Sequence, residues 1–128
     1  MCAGGLPVAN ETHAYNVLDA AVELQEFMIS QKKERSSKGH SYFELRIGIH
    51  TGPVVAGIVG HKKFAYDIWG DTVNTASRME NAGEPNKINI SGATFDKVKD
   101  RYICTYRGKV KAKHKGEIDM YFIGSDPV

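Results

Sequence analysis

Asp67, Asn74 and Arg78 lie within one short stretch, Tyr66-Asp67-Ile68-Trp69-Gly70-Asp71-Thr72-Val73-Asn74-Thr75-Ala76-Ser77-Arg78-Met79. The residue types predict an apolar strand carrying a carboxylate, a break at Gly70-Asp71, and a helix carrying an amide and a guanidinium four residues apart. At about 100° per residue, with Val73 set to zero, Asn74 falls at about 100° and Arg78 at about 140°, while Ala76 and Met79 occupy the other side. A carboxylate accepts from an amine, an amide serves a hydroxyl, and a guanidinium neutralises phosphate oxygens bidentately. Together they suit a nucleotide: base edge, sugar and phosphate. Asp67 has a second reading, as an outward-facing acid on an edge strand, and the helix pattern is also that of a surface helix.

The elements that must position these groups follow from periodicity. Asn10 is a candidate cap for a helix over 11–33, where Ala14, Val17, Leu18, Ala21, Val22, Gln25 and Met28 recur at helical spacing and only Gln25 interrupts the apolar stripe. Residues 42–50 alternate as a strand, with Phe43, Leu45, Ile47 and Ile49 on one face, and 54–59 form a second strand in a hairpin-like pair with it. A third strand over 64–69 leads into the helix from Thr72 to about Gly83. A short strand at 88–90 precedes a helix capped by Ser91, and strands at 102–106 and 118–123 close the chain. The fold class is α+β, with a largely antiparallel sheet covered by helices on one face.

With 128 residues the chain has room for one domain with a real core. A net charge of +2 does not indicate nucleic acid or a membrane as partner. Six Lys or Arg and no acid occur between Arg101 and Lys115. Lys109, Lys111, Lys113 and Lys115 alternate, which on a strand gives a solvated edge for Lys109 and Lys111. RNA binding through this strand would need interleaved stacking aromatics, and only Tyr102 and Tyr106 lie near. Cys2 and Cys104 do not make a disulfide framework or a zinc site, which fits a reducing cytoplasmic setting. No segment has the length and apolarity of a membrane span, so any membrane attachment would come through other domains. Gly48, Gly52, Gly57 and Gly60 are not a Walker loop, because Ile58 and Val59 follow Gly57 where Lys and Ser/Thr are needed. They are expected to allow a turn and a close strand crossing. The His residues lack metal-ligand spacing.

The run Arg46-Ile47-Gly48-Ile49-His50-Thr51-Gly52-Pro53-Val54-Val55-Ala56-Gly57, the run Tyr66 to Met79, Lys87-Ile88-Asn89-Ile90-Ser91, Lys115-Gly116 and Tyr121-Phe122 resemble the class III adenylate/guanylate cyclase catalytic domain. The resemblance spans nearly the whole chain. It implies a ferredoxin-like nucleotide cyclase fold of which residues 1–128 are the C-terminal portion, with the N-terminal part of the domain absent. It further implies that Asp67 accepts from the adenine amino group, Asn74 positions the ribose, and Arg78 stabilises charge at the α-phosphate as the ribose 3′-oxygen attacks. Guanylate cyclases of the family usually carry a non-acidic residue at the position of Asp67, so ATP is the expected substrate and cyclic AMP with pyrophosphate the products. The family's Lys-Gly-Lys-Gly motif corresponds to Lys113-His114-Lys115-Gly116, which makes Lys115 the expected triphosphate contact and Lys113 the reserve. Two Mg2+ or Mn2+ ions are implied, held by two aspartates upstream of Met1 and by none in this chain. A homodimer of the complete protein is implied as well, and this chain alone is expected to be inactive. The alternatives are a guanylate cyclase and a non-catalytic cyclase-like regulatory or dimerisation module.

Overall fold

A computed structural model describes residues 1–6, 8–61, 65–112 and 116–127; for 65, 66 and 125–127 it describes the backbone alone. Among the described residues the order is α1 (His13–Ser37), β1 (Arg46–Ile49), β2 (Val55–Val59), β3 (Ala65–Trp69), α2 (Asp71–Asn81), β4 (Lys87–Ser91), α3 (Gly92–Val98), β5 (Tyr102–Ala112) and β6 (Gly116–Pro127). Helix α1 buries the expected stripe of Ala14, Leu18 and Ala21 together with Gln25. It begins two residues later than the sequence suggests. Asn10 Oδ1 accepts from the Thr12 amide at 3.1 Å, and Thr12 takes the cap position. It also runs four residues further, to Ser37, where the Ser37 hydroxyl donates to Glu34 O and Lys38 pairs with Glu34 before Gly39 turns the chain at a positive φ of 73°.

Four strands form one sheet in the order β1-β4-β6-β5, and β2 and β3 form a separate two-stranded sheet. The pairing corrects the expected hairpin between 42–50 and 54–59. Strand β1 pairs in parallel with β4, from Arg46↔Lys87 to Ile49↔Ile90, and β2 turns back onto β3 instead. Strand β1 is short because β4 begins only at Lys87; Phe43, with no strand beside it, is 83% exposed. The other two pairs of the sheet, β4–β6 and β5–β6, are antiparallel.

Helices cover both faces of this sheet, not one. Ile49, Ile88 and Ile90 pack with Ala14, Leu18 and Ala21 of α1 and Val98 of α3. Gly48 and Asn89, which alternate with those isoleucines, face α2: the Asn89 amide donates to Met79 O at 2.9 Å. Strands β1 and β4 are apolar on the first face, with Ile47, Ile49, Ile88 and Ile90; on the second, Gly48 lets α2 approach and the polar Asn89 is satisfied by a helix carbonyl. On the first face Phe95 of α3 stacks on Tyr121 at 3.9 Å between ring centroids. Ser91 caps α3 as expected, its hydroxyl accepting from the Thr94 amide.

Candidate functional site

The site is built on the passage from β3 through Gly70 into α2. Gly70 has φ 125° and ψ −178°, a conformation that an L side chain resists, and so the strand can turn at once into the helix. The Gly70 carbonyl accepts from the amides of Val73 and Asn74. Asp71 stands in the first helical turn, where a carboxylate suits the positive end of the dipole. Thr72, Thr75 and Met79 are buried, with the Thr72 hydroxyl donating to Pro53 O and the Thr75 hydroxyl to Asp71 O. Asn74 and Arg78 are both exposed on the opposite side, as the helical angles predict.

Residues that the sequence reading did not single out as site residues fix this helix in place. A Cβ on Gly48 would lie 2.0 Å from the Glu80 nitrogen, so α2 rests on bare backbone of β1. The expected role for this glycine was a close strand crossing; the close approach is instead that of a helix. Asn89, fully buried, holds the Met79 carbonyl. Arg107 donates from Nη1 to Ala82 O at 2.9 Å, and its guanidinium lies 3.9 Å from the Phe122 ring centroid. Arg46 pairs with Glu80 at 3.2 Å. A polar residue between two isoleucines and a glycine within an alternating strand were the available signals.

Arg78 donates from Nε to the backbone carbonyl of Lys111 at 2.9 Å. This joins α2 to the strand that leads to the lysine-rich segment. Its two terminal nitrogens make no hydrogen bond or ion pair among the described residues. Asp67 is exposed at the middle of β3, opposite Gly57 of β2, and its Oδ1 accepts from the Ile68 amide at 2.8 Å. The carboxylate therefore points outward and keeps its hydration, so it carries no burial cost. No direct contact joins Asp67 to Asn74 or Arg78 among the described residues.

On β5, a register shift between Tyr106 and Gly108 sets Lys109 opposite Asp119 and Lys111 opposite Glu117. Lys109 pairs with Asp119 at 2.8 Å, and the Tyr106 hydroxyl donates to the same carboxylate. The Lys109 hydrogen bond, then the one from Tyr106, holds the Asp119 carboxyl below its ordinary range, and the bond to Asp119 raises Lys109 in turn. Lys109 and Lys111 are exposed on an edge strand, which agrees with a solvated edge. Lys113 and Lys115, the expected triphosphate contacts, lie outside the described residues. Among the described residues no three His, Cys, Asp or Glu side chains converge where a cation could be held. The implied two-ion centre thus does not fit the residues described.

The profile of the adenylate and guanylate cyclase catalytic domain matches residues 1–125. The chain is 40% identical over 124 residues to the soluble guanylate cyclase subunit beta-2 of Rattus norvegicus, covering 96% of this chain and 18% of that protein. It is 33% identical over 123 residues to an adenylate cyclase of Mycobacterium bovis, again covering 96% of this chain and 27% of the relative. Among solved structures, the adenylyl cyclase CyaB from P. aeruginosa superposes with a TM-score of 0.86 at 27% identity, over 94% of this chain and 64% of that one. The chain thus spans about a fifth to a quarter of these two sequence relatives and about two thirds of the solved catalytic chain.

Proposed function

Since this chain belongs to the adenylate and guanylate cyclase catalytic domain family, we propose that the whole protein is an adenylate cyclase that converts ATP to 3′,5′-cyclic AMP and pyrophosphate. The observation that carries this reading is the outward carboxylate of Asp67 on the strand that turns directly into the helix bearing Asn74 and Arg78. A carboxylate accepts from the exocyclic amine of adenine, whereas the guanine edge carries a carbonyl at the corresponding place. Asn74, one turn before Arg78, suits the ribose. The Arg78 guanidinium stays ionised and offers two parallel donors to the oxygens on which charge accumulates during attack at the α-phosphate. Its Nε bond to Lys111 O fixes that group before substrate arrives, which is the condition under which such a donor lowers a barrier most.

Lys115, with Lys113 in reserve, is the proposed partner of the β- and γ-phosphates. Mg2+ or Mn2+ would, in this reading, be held by residues of the complete protein other than those described. A cytoplasmic homodimer of the complete protein is part of the same proposal, and so is the inactivity of this chain by itself.

A guanylate cyclase is the second reading, supported by the higher identity to the rat guanylate cyclase subunit than to the mycobacterial adenylate cyclase. A non-catalytic cyclase-like module is the third. Assay of the complete protein with ATP and GTP in parallel separates them. The proposal requires cyclic AMP as the main product, and it requires Asp67→Ala to reduce the preference for ATP by about tenfold or more. Dominant cyclic GMP formation overturns it in favour of the second reading. No turnover of either nucleotide favours the third.

A further inference from the structure

Helix α2 begins without a capping side chain: Gly70 stands at the cap position and offers only its carbonyl. A first turn of this kind frays unless something outside the helix holds it. Thr72, buried in that turn, supplies the hold, because its hydroxyl donates to Pro53 O at 2.5 Å. The bare backbone of Gly52 makes room for this bond; an added Cβ there would lie 2.6 Å from the Thr72 hydroxyl oxygen. The turn that offers the Pro53 carbonyl is itself tied on its other side. Just beyond the ladder pair Ile49↔Ile90, His50 Nδ1 and Ser91 Oγ lie 2.6 Å apart, and the Thr51 and Thr94 hydroxyls share a bond at 2.8 Å. Ser91 and Thr94 open α3. Residues 50–53 thus form a bracket between the first turns of two helices.

We propose that Thr72 is a positioning residue for Asn74: its bond to Pro53 O holds the first turn of α2 so that the Asn74 amide is set for the ribose. This rests on the assignment of Asn74 to the sugar. The other polar group of the helix has its own anchors. Arg78 is fixed by Lys111 O, and the turn around it by Asn89 and the bare backbone of Gly48. Asn74 is exposed and makes no side-chain hydrogen bond among the described residues, so its aim depends on the backbone two residues after Thr72. A threonine inside a helix commonly turns its hydroxyl back onto its own helix, as Thr75 does with Asp71 O. Thr72 reaches across to another element instead, and this ties the sugar contact to the β1–β4 ladder through the bracket.

A double-mutant cycle tests this. Turnover by the complete protein is measured for the wild type, Thr72→Val, Thr72→Ser, Asn74→Ala and the double variant Thr72→Val/Asn74→Ala, with a thermal melt of each. The ribose is common to ATP and GTP, so the substrate is whichever nucleotide the complete protein converts. Valine keeps the branched shape and removes the donor. The expected result is a kcat roughly 10- to 100-fold lower for Thr72→Val, with Thr72→Ser restoring most of it. Adding Thr72→Val to Asn74→Ala should cost no further turnover, although the shifts in melting temperature add. Gly52→Ala, whose methyl group displaces the Thr72 hydroxyl from Pro53, is expected to repeat the loss and serves if Thr72→Val does not fold. Losses that multiply in the double variant overturn the positioning role and leave Thr72 a stabiliser of the helix. So does normal turnover by Thr72→Val or Gly52→Ala while Asn74→Ala is impaired, and either result leaves the ribose assignment standing. If Asn74→Ala turns over as fast as the wild type, or the complete protein converts neither nucleotide, the ribose assignment falls and the positioning role with it.

Discussion

Arg78 and Tyr102 each reach another element through a single hydrogen bond, and the two bonds serve different ends. For Arg78 the bond to Lys111 O aims a charged group that is otherwise exposed. Replacing it with Ala in the complete protein is expected to lower turnover about 100- to 1000-fold with little change in ATP binding; steady-state kinetics with ATP that show near-normal turnover sink the assignment. Arg78→Lys keeps the charge but loses the fork and the Nε anchor, and most of the loss is expected to remain. Tyr102 is buried and donates to Asp19, which also pairs with Arg101 at 3.1 Å. Burial first, and then the bond to Asp19, pushes the phenol from its ordinary 10.0 up to about 12. Folding therefore favours the protonated phenol. That contribution is complete below about pH 10 and is lost as pH rises through about 12. Denaturation measured across this window should show stability falling with pH, and Tyr102→Phe should flatten the fall. A wild-type curve that is flat there contradicts this.

The element that matters most is α2, and its position is set from beneath. Gly48→Ala places a methyl group against Glu80 backbone, which cannot move aside as a flexible side chain would. The expected cost is about 1–3 kcal/mol, read from urea unfolding. An unchanged midpoint would mean that α2 is not seated on β1 as described. The helix itself was legible in the sequence, because its apolar period and the Gly70 break are local. Its supports were not. Gly48, Asn89 and Arg107 come from three strands, and which residue each strand presents to α2 depends on register. The register of β1 in turn depends on β4, a strand some forty residues away, and this is why a hairpin with β2 was the natural but mistaken expectation.

For the molecule as a whole, the sheet ends at β1, and a groove of about 1020 Å³ lies between α1, β1 and α2. Helix α1 turns Val17, Ala20 and Leu24 toward it, a second apolar face beside the one that meets the core. An exposed apolar surface of this kind binds apolar dyes. Ala20→Glu is expected to abolish such binding in a fluorescence titration while changing stability by no more than about 0.5 kcal/mol, because Ala20 is exposed. Dye binding that persists would place the apolar surface elsewhere. The family, the α+β class, the capped helix after Ser91 and the amphipathic helix of Asn74 and Arg78 were all determined by the sequence alone, through short-range period, caps and motif. Only the tertiary structure decided that helices cover both faces of the sheet, that β2 pairs with β3, and that Arg78 is aimed by Lys111. Each of these joins residues through strand register or packing, and neither is written in the local pattern of residue types.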